Sequence, residues 1–148
     1  MSSAPVAYDC VFCGIVTGRL PSSQVYADDD IVAFLDIRPV TTGHLLVVPR
    51  AHVAGLDGVD ERTGARLFAA ARRLAGAVRG SGVPCEGINL FLADGAAAGQ
   101  EVFHVHLHVL PRTAGDGFGI RARWQHADRA DLDATAARIR GSLSEPGT

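Results

Sequence analysis

The stretch FHVHLHVLPR, residues 103–112, constrains the fold more than any other part of the chain. His104, His106 and His108 alternate there with Val105, Leu107 and Val109. A strict two-residue period suits a β-strand, whose successive side chains face opposite ways, and suits no helix. The pattern predicts a strand over 102–110, with three imidazoles on one face and three aliphatic side chains turned to a core. Such a row spans about 13 Å at ~3.3 Å per residue. Three uses are open to it. It is a tolerant polar face, a metal site built on His-x-His, or a catalytic row in which neutral imidazole attacks and its neighbours handle protons. The preceding DGAAAGQ, 94–100, is small and glycine-flanked. It lets backbone N–H groups approach an anion, which favours the catalytic row.

The rest of the chain supplies partners for that strand. VYADDDIVAFLDI reads as a hairpin, with strands near 24–27 and 31–36 around an acidic turn. HLLVVPR, 44–50, is a buried strand closed by Pro49, and GINLFLADG, 87–95, is another. Between these two lies the main helix, 60–80, with Asp60 as N-cap and Leu67, Ala71, Leu74 and Val78 at helical spacing. A short helix follows Asp9 and ends at Gly18 and Pro21, and a terminal helix covers 130–143. Strands that pair with one long helix between them give an α+β fold rather than a parallel, doubly wound sheet. HLLVVPR and HLHVLPR, 106–112, echo one another as two similar strands, each ended by proline.

A single domain over 9–148 after a flexible leader, 1–8, suits 148 residues. The formal net charge of −2 offers no global attraction for nucleic acid. No apolar run spans a bilayer and no secretory signal opens the chain, so a cytoplasmic location and reduced cysteines are expected.

His104-Val-His106-Leu-His108-Val-Leu resembles the signature of the histidine triad (HIT) family. The likeness extends over most of 9–126, through DCVFCGIVTGRLPSSQVYADDDIVAFLDI, GHLLVVPRAHV, AGQEVFHVHLHVLPR, GDGFG and Trp124. It is greatest to bacterial members that carry an N-terminal Cys-x-x-Cys. The resemblance implies a five-stranded antiparallel sheet with two main helices. It implies a nucleotidyl hydrolase or transferase acting at the α-phosphate of a purine nucleotide conjugate, either an adenosine phosphoramidate or a diadenosine polyphosphate. His106 would be the nucleophile, with His108 beside the phosphoryl oxygens and His44 in support. Asp36 would hold the ribose hydroxyls, and Phe12, Ile15, Phe34 and Ile37 would wall the base. Gln100, Glu101 and Val102 match the segment that meets the phosphates, with Asn89 nearby. Ala93 departs from the family, where a polar amide is common. That departure keeps a nucleotide-binding sensor with negligible turnover as the competing reading.

Cys10-Val-Phe-Cys13 has metal-ligand spacing, although a redox pair or two plain buried thiols share it. With His52 and His104 it would make a Cys₂His₂ set suited to structural Zn²⁺, as in cysteine-bearing relatives. His104 would then anchor the strand that carries His106. Relatives pair into two-fold dimers by joining their sheets, so a homodimer is expected.

Overall fold

This computed structural model describes residue 7 and residues 9–143. Apart from Ala7, the segment read as a leader lies outside the described residues. Residues up to Phe118 form one compact unit and those from Gly119 a second. The first holds α1 (Val11–Val16), β1 (Gln24–Ala27), β2 (Ile31–Leu35), β3 (Leu45–Pro49), α2 (Glu61–Gly80), β4 (Gly87–Phe91) and β5 (Leu107–Arg112). The second holds α3 (Arg129–Ser142), whose side chains are all at least partly exposed.

All five strands join one antiparallel sheet in the order β1-β2-β3-β5-β4. The two echoing segments are β3 and β5, adjacent strands at its centre, where both faces need apolar side chains. Alternation then sorts the residues. Ile31, Ala33, Leu45, Val47 and Val109 pack against Leu67, Ala70, Ala71, Leu74 and Val78 of α2. Val32, Phe34, Leu46 and Val48 pack against Phe12 and Ile15 of α1 on the opposite face. Helix α2 begins where the sequence places it, because the Asp60 carboxylate accepts the Thr63 N–H at 2.7 Å. In α1 the N-cap is Cys10 rather than Asp9, its sulfur accepting the Cys13 N–H.

Two strands differ from their sequence reading. β4 stops at Phe91 instead of running to 95. β5 starts at Leu107, so His104 and His106 lie in the segment leading into it rather than within it. The β3–β5 register explains the late start. Its last pair is Val47 with Leu107, and two residues further Pro49 would face Val105. Proline has no N–H to give, and the Val105 N–H turns instead to the Val53 carbonyl at 2.8 Å.

One cross-strand row positions the site. Phe34, Leu46, His108 and Phe91 stand opposite one another across β2, β3, β5 and β4. His108 therefore emerges on the α1 face of the sheet.

Candidate active site and metal cluster

His44 immediately precedes β3, at the end of the turn 36–43, which Gly43 allows by taking φ +88°. A Cβ at Gly43 would sit 2.9 Å from Val83 Cγ1 and 3.2 Å from Pro111 Cγ. The Val40 N–H donates to His44 Nδ1 at 3.1 Å, so the proton of neutral His44 sits on Nε2. His44 Nε2 lies 2.8 Å from His108 Nδ1 and 3.7 Å from an Asp36 oxygen. That proton is thus donated to His108 Nδ1, which leaves His108 with its own proton on Nε2.

The nucleophile candidate has the opposite tautomer. His106 Nδ1 is 2.7 Å from the His104 carbonyl oxygen, so it carries the proton and donates it. His106 Nε2 keeps its lone pair. The His106 and His108 rings lie 4.9 Å apart between centroids, and Phe12 meets the His106 ring edge-on at 5.0 Å. The site therefore pairs a lone-pair nitrogen on one imidazole with an N–H donor on the next.

Burial disfavours the charged forms of His44, His104 and His108. It lowers the pKa of His44, with the Asp36 carboxylate pulling the other way. It lowers that of His108 to about 4, helped by His106 and His44. His104 is lowered by burial too, against a bond to the Pro49 carbonyl.

A second cluster lies behind the row. The ligand atoms of Cys10, Cys13, His52 and His104 all lie within 4.8 Å of one another. His104 Nδ1 is 3.6 Å from Cys10 Sγ and 3.5 Å from Cys13 Sγ, and His52 Nδ1 is 3.4 Å from Cys13 Sγ. Bonds of ~2.3 Å to sulfur and ~2.0 Å to nitrogen at a tetrahedral angle put those atoms about 3.5 Å apart. The separations therefore suit a single tetrahedral ion. His104 Nε2 donates to the Pro49 carbonyl at 2.8 Å, which turns the Nδ1 lone pair toward the sulfurs. These four residues could hold a metal ion. Asp36, His44 and His108 also lie close together, but the Val40 N–H decides against a cation there. A metal on His44 Nε2 would force a proton onto Nδ1, where it would meet another donor.

The remaining sequence candidates fall into three groups. Phe12, Ile15 and Phe34 are buried in the apolar cluster under the row, with Val102 packed against it, whereas Ile37 is 95% exposed. Gln100 is buried and fully engaged. Its side chain accepts from the Gly95 N–H and donates to the Ala54 and Val102 carbonyls, and its own N–H reaches the Gly95 carbonyl. It braces the loop rather than offering donors to a ligand. Glu101 pairs with Arg38 at 3.2 Å on the surface. Asn89 lies on the same sheet face as His108, two residues from Phe91 along β4, and accepts from Arg112 at 2.6 Å.

Sequence reasoning missed three contributors: the Val40 N–H, the Pro49 carbonyl and the Phe91 ring. The first two are backbone groups and carry no residue signature. Phe91 reads as core in the sequence, yet it stacks on His108.

Residues 17–115 match the HIT domain. An uncharacterized HIT-like protein of Borreliella burgdorferi is 46% identical over 115 residues, 77% of this chain and 83% of that protein. The crystal structure of a Zn-bound histidine triad family protein from Mycobacterium smegmatis is similar at TM-score 0.72 and 40% identity, over 91% of this chain and 98% of that one. That of a histidine triad nucleotide-binding protein from Candida albicans is similar at TM-score 0.82 and 26% identity, over 90% and 96%. Sheet order, histidine row and sequence matches agree, and the chain belongs to the HIT domain family.

Proposed function

We propose that this protein cleaves purine nucleotide conjugates at the α-phosphorus through a covalent nucleotidyl-histidine. The observation that carries the reading is the His106 Nδ1–His104 carbonyl bond of 2.7 Å, which leaves Nε2 free to attack. In the first step a bond forms between His106 Nε2 and phosphorus, and the bond to the leaving group breaks. The His108 Nε2–H donates to a phosphoryl oxygen or to the departing atom. In the second step water attacks phosphorus, the N–P bond breaks with its electron pair returning to His106 Nε2, the water's proton replaces the one that left with the departing group, and the nucleoside monophosphate leaves. Asp36 holds the ribose diol, since a carboxylate accepts from both hydroxyls. Phe12, Ile15, Phe34 and Ile37 supply the apolar side on which the base rests.

Zinc is the ion that Cys₂His₂ donors favour, and bound there it would be structural, with no open coordination position. Cys10, Cys13, His52 and His104 would hold it, and His104 would fix the backbone carbonyl that orients His106. The protein is proposed to act as a homodimer. β4 is an edge strand with Leu90 and Phe91 partly exposed, and such an edge invites pairing. A sensor with negligible turnover is the second reading, favoured by Ala93. It is 5% exposed and offers no polar group where relatives commonly carry an amide.

The test is a panel of adenosine phosphoramidates and diadenosine polyphosphates assayed for AMP release. Hydrolysis is expected, with a loss of several orders of magnitude in His106→Ala. Tight AMP binding with no turnover on the whole panel would move the reading to the sensor.

A further inference from the structure

The Phe91 ring lies on the His108 ring with 4.1 Å between centroids and 5° between planes. The register enforces this, since Phe91 of β4 and His108 of β5 are direct cross-strand partners on the α1 face of the sheet. Phe91 is 40% exposed on the edge strand β4, so its ring covers one face of His108 while staying half open itself. We propose that Phe91 is a positioning residue for the reaction, its ring fixing the plane of the His108 imidazole and shutting water from that face. The proposal rests on the nucleotidyl-transfer reading for its catalytic consequence, but the stacking effect is measurable without substrate.

Among the described residues, the titratable groups acting on His108 are His106, His44 and Asp36. His44 meets Nδ1 at 2.8 Å, and Asp36 stands behind His44. His106 lies 4.9 Å away in the segment before β5, and Leu46 faces it from β3. Neither β3 nor β4 contains a titratable residue. Two plane-fixing contacts therefore act on the ring: the His44 hydrogen bond at one edge and the Phe91 stack on one face. Burial is the first cause of the low pKa of His108, and Phe91 is the half-open part of that cover. An aromatic face also attracts an imidazolium, which opposes the effect. In a buried row desolvation is the larger of the two. Neutral His108 is the form the chemistry needs, because only then does Nδ1 accept from His44 while Nε2–H points at substrate.

The experiment compares wild type, Phe91→Ala and Phe91→Tyr. The titration of the His108 ring is followed by NMR without ligand, alongside pH–rate profiles on one adenosine phosphoramidate. In Phe91→Ala the His108 midpoint should rise by about 1 pH unit, and the acid limb of kcat should rise with it. Because the stack also fixes the ring plane, kcat on the alkaline plateau should fall severalfold while KM hardly moves, since Phe91 touches His108 rather than the nucleoside. Phe91→Tyr keeps the ring and should restore both midpoints. An unchanged His108 midpoint in Phe91→Ala overturns the proposal, as does a rate loss equal at every pH. So does the same shift on diluting wild type to monomer with Phe91 intact, since association would then be the cause. If wild type turns over nothing, the NMR comparison still decides the role of Phe91, and only the nucleotidyl-transfer reading falls.

Discussion

The Val40 N–H is a single donor, yet it sets the protons of two side chains. By filling His44 Nδ1 it sends the His44 proton to His108, and by the same logic the His104 carbonyl settles His106. Histidines are legible in sequence, but their tautomers are not, because backbone groups that carry no residue signature choose them. Asp36 shows the same division. Its place in FLDI marks it as a ligand for hydroxyls only through resemblance. In the folded chain one oxygen accepts the Arg38 N–H at 2.8 Å and the other faces His44, so the carboxylate is held before any ligand arrives. If it grips the ribose, Asp36→Ala should weaken AMP binding far more than binding of the 2′,3′-dideoxy analogue. A hydrogen bond to a charged group is worth ~1.5–3 kcal/mol, so the difference should exceed tenfold by calorimetry. Equal weakening of both ligands would remove Asp36 from the ribose.

At the scale of elements, the strands were readable wherever both faces of the sheet are covered. β2 and β3 are short apolar runs bounded by turn residues, and α2 has an apolar stripe with a cap at its head. The histidine segment was harder. Its alternation continues through Val105, but the pairing with β3 ends at Val47–Leu107, short of Pro49, which is distant in sequence and adjacent in space. Helix α1 poses a different question, because six residues are too few to be stable alone. Phe12 and Ile15 pack it on the sheet, and Cys10 and Cys13 tie its first turn to His52 and His104. With zinc in that cluster, elemental analysis should find about one Zn per chain. Changing Cys10→Ser and Cys13→Ser together should lower Tm by several degrees while AMP affinity changes little. Metal-free protein purified without chelator, with Tm unchanged in the double variant, would show that packing alone holds α1.

At the scale of the whole molecule, the lowered pKa values of His44 and His108 in the histidine row make stability depend on pH. The sign follows from proton binding. The unfolded chain protonates His108 near its ordinary value of 6.5, the folded chain only near 4. Between these values the unfolded state binds more protons, so stability falls as pH falls. The contribution is fully present above pH 6.5 and is lost on acidification through about pH 4, amounting to about 3 kcal/mol for His108. His44 acts in the same direction. Urea melts between pH 7.5 and 4.5 should show the midpoint falling with pH, and less so in His108→Asn; a flat or rising midpoint on acidification would contradict the lowered values. The row exists to leave one nitrogen, His106 Nε2, ready to attack. The direct measurement is intact-protein mass spectrometry of a rapidly quenched reaction with an adenosine phosphoramidate. The account predicts one acid-labile nucleotidyl group on the wild-type chain within the first turnover, and none on His106→Ala despite retained AMP binding. An adduct on His106→Ala, or turnover by that variant comparable to wild type, would contradict it.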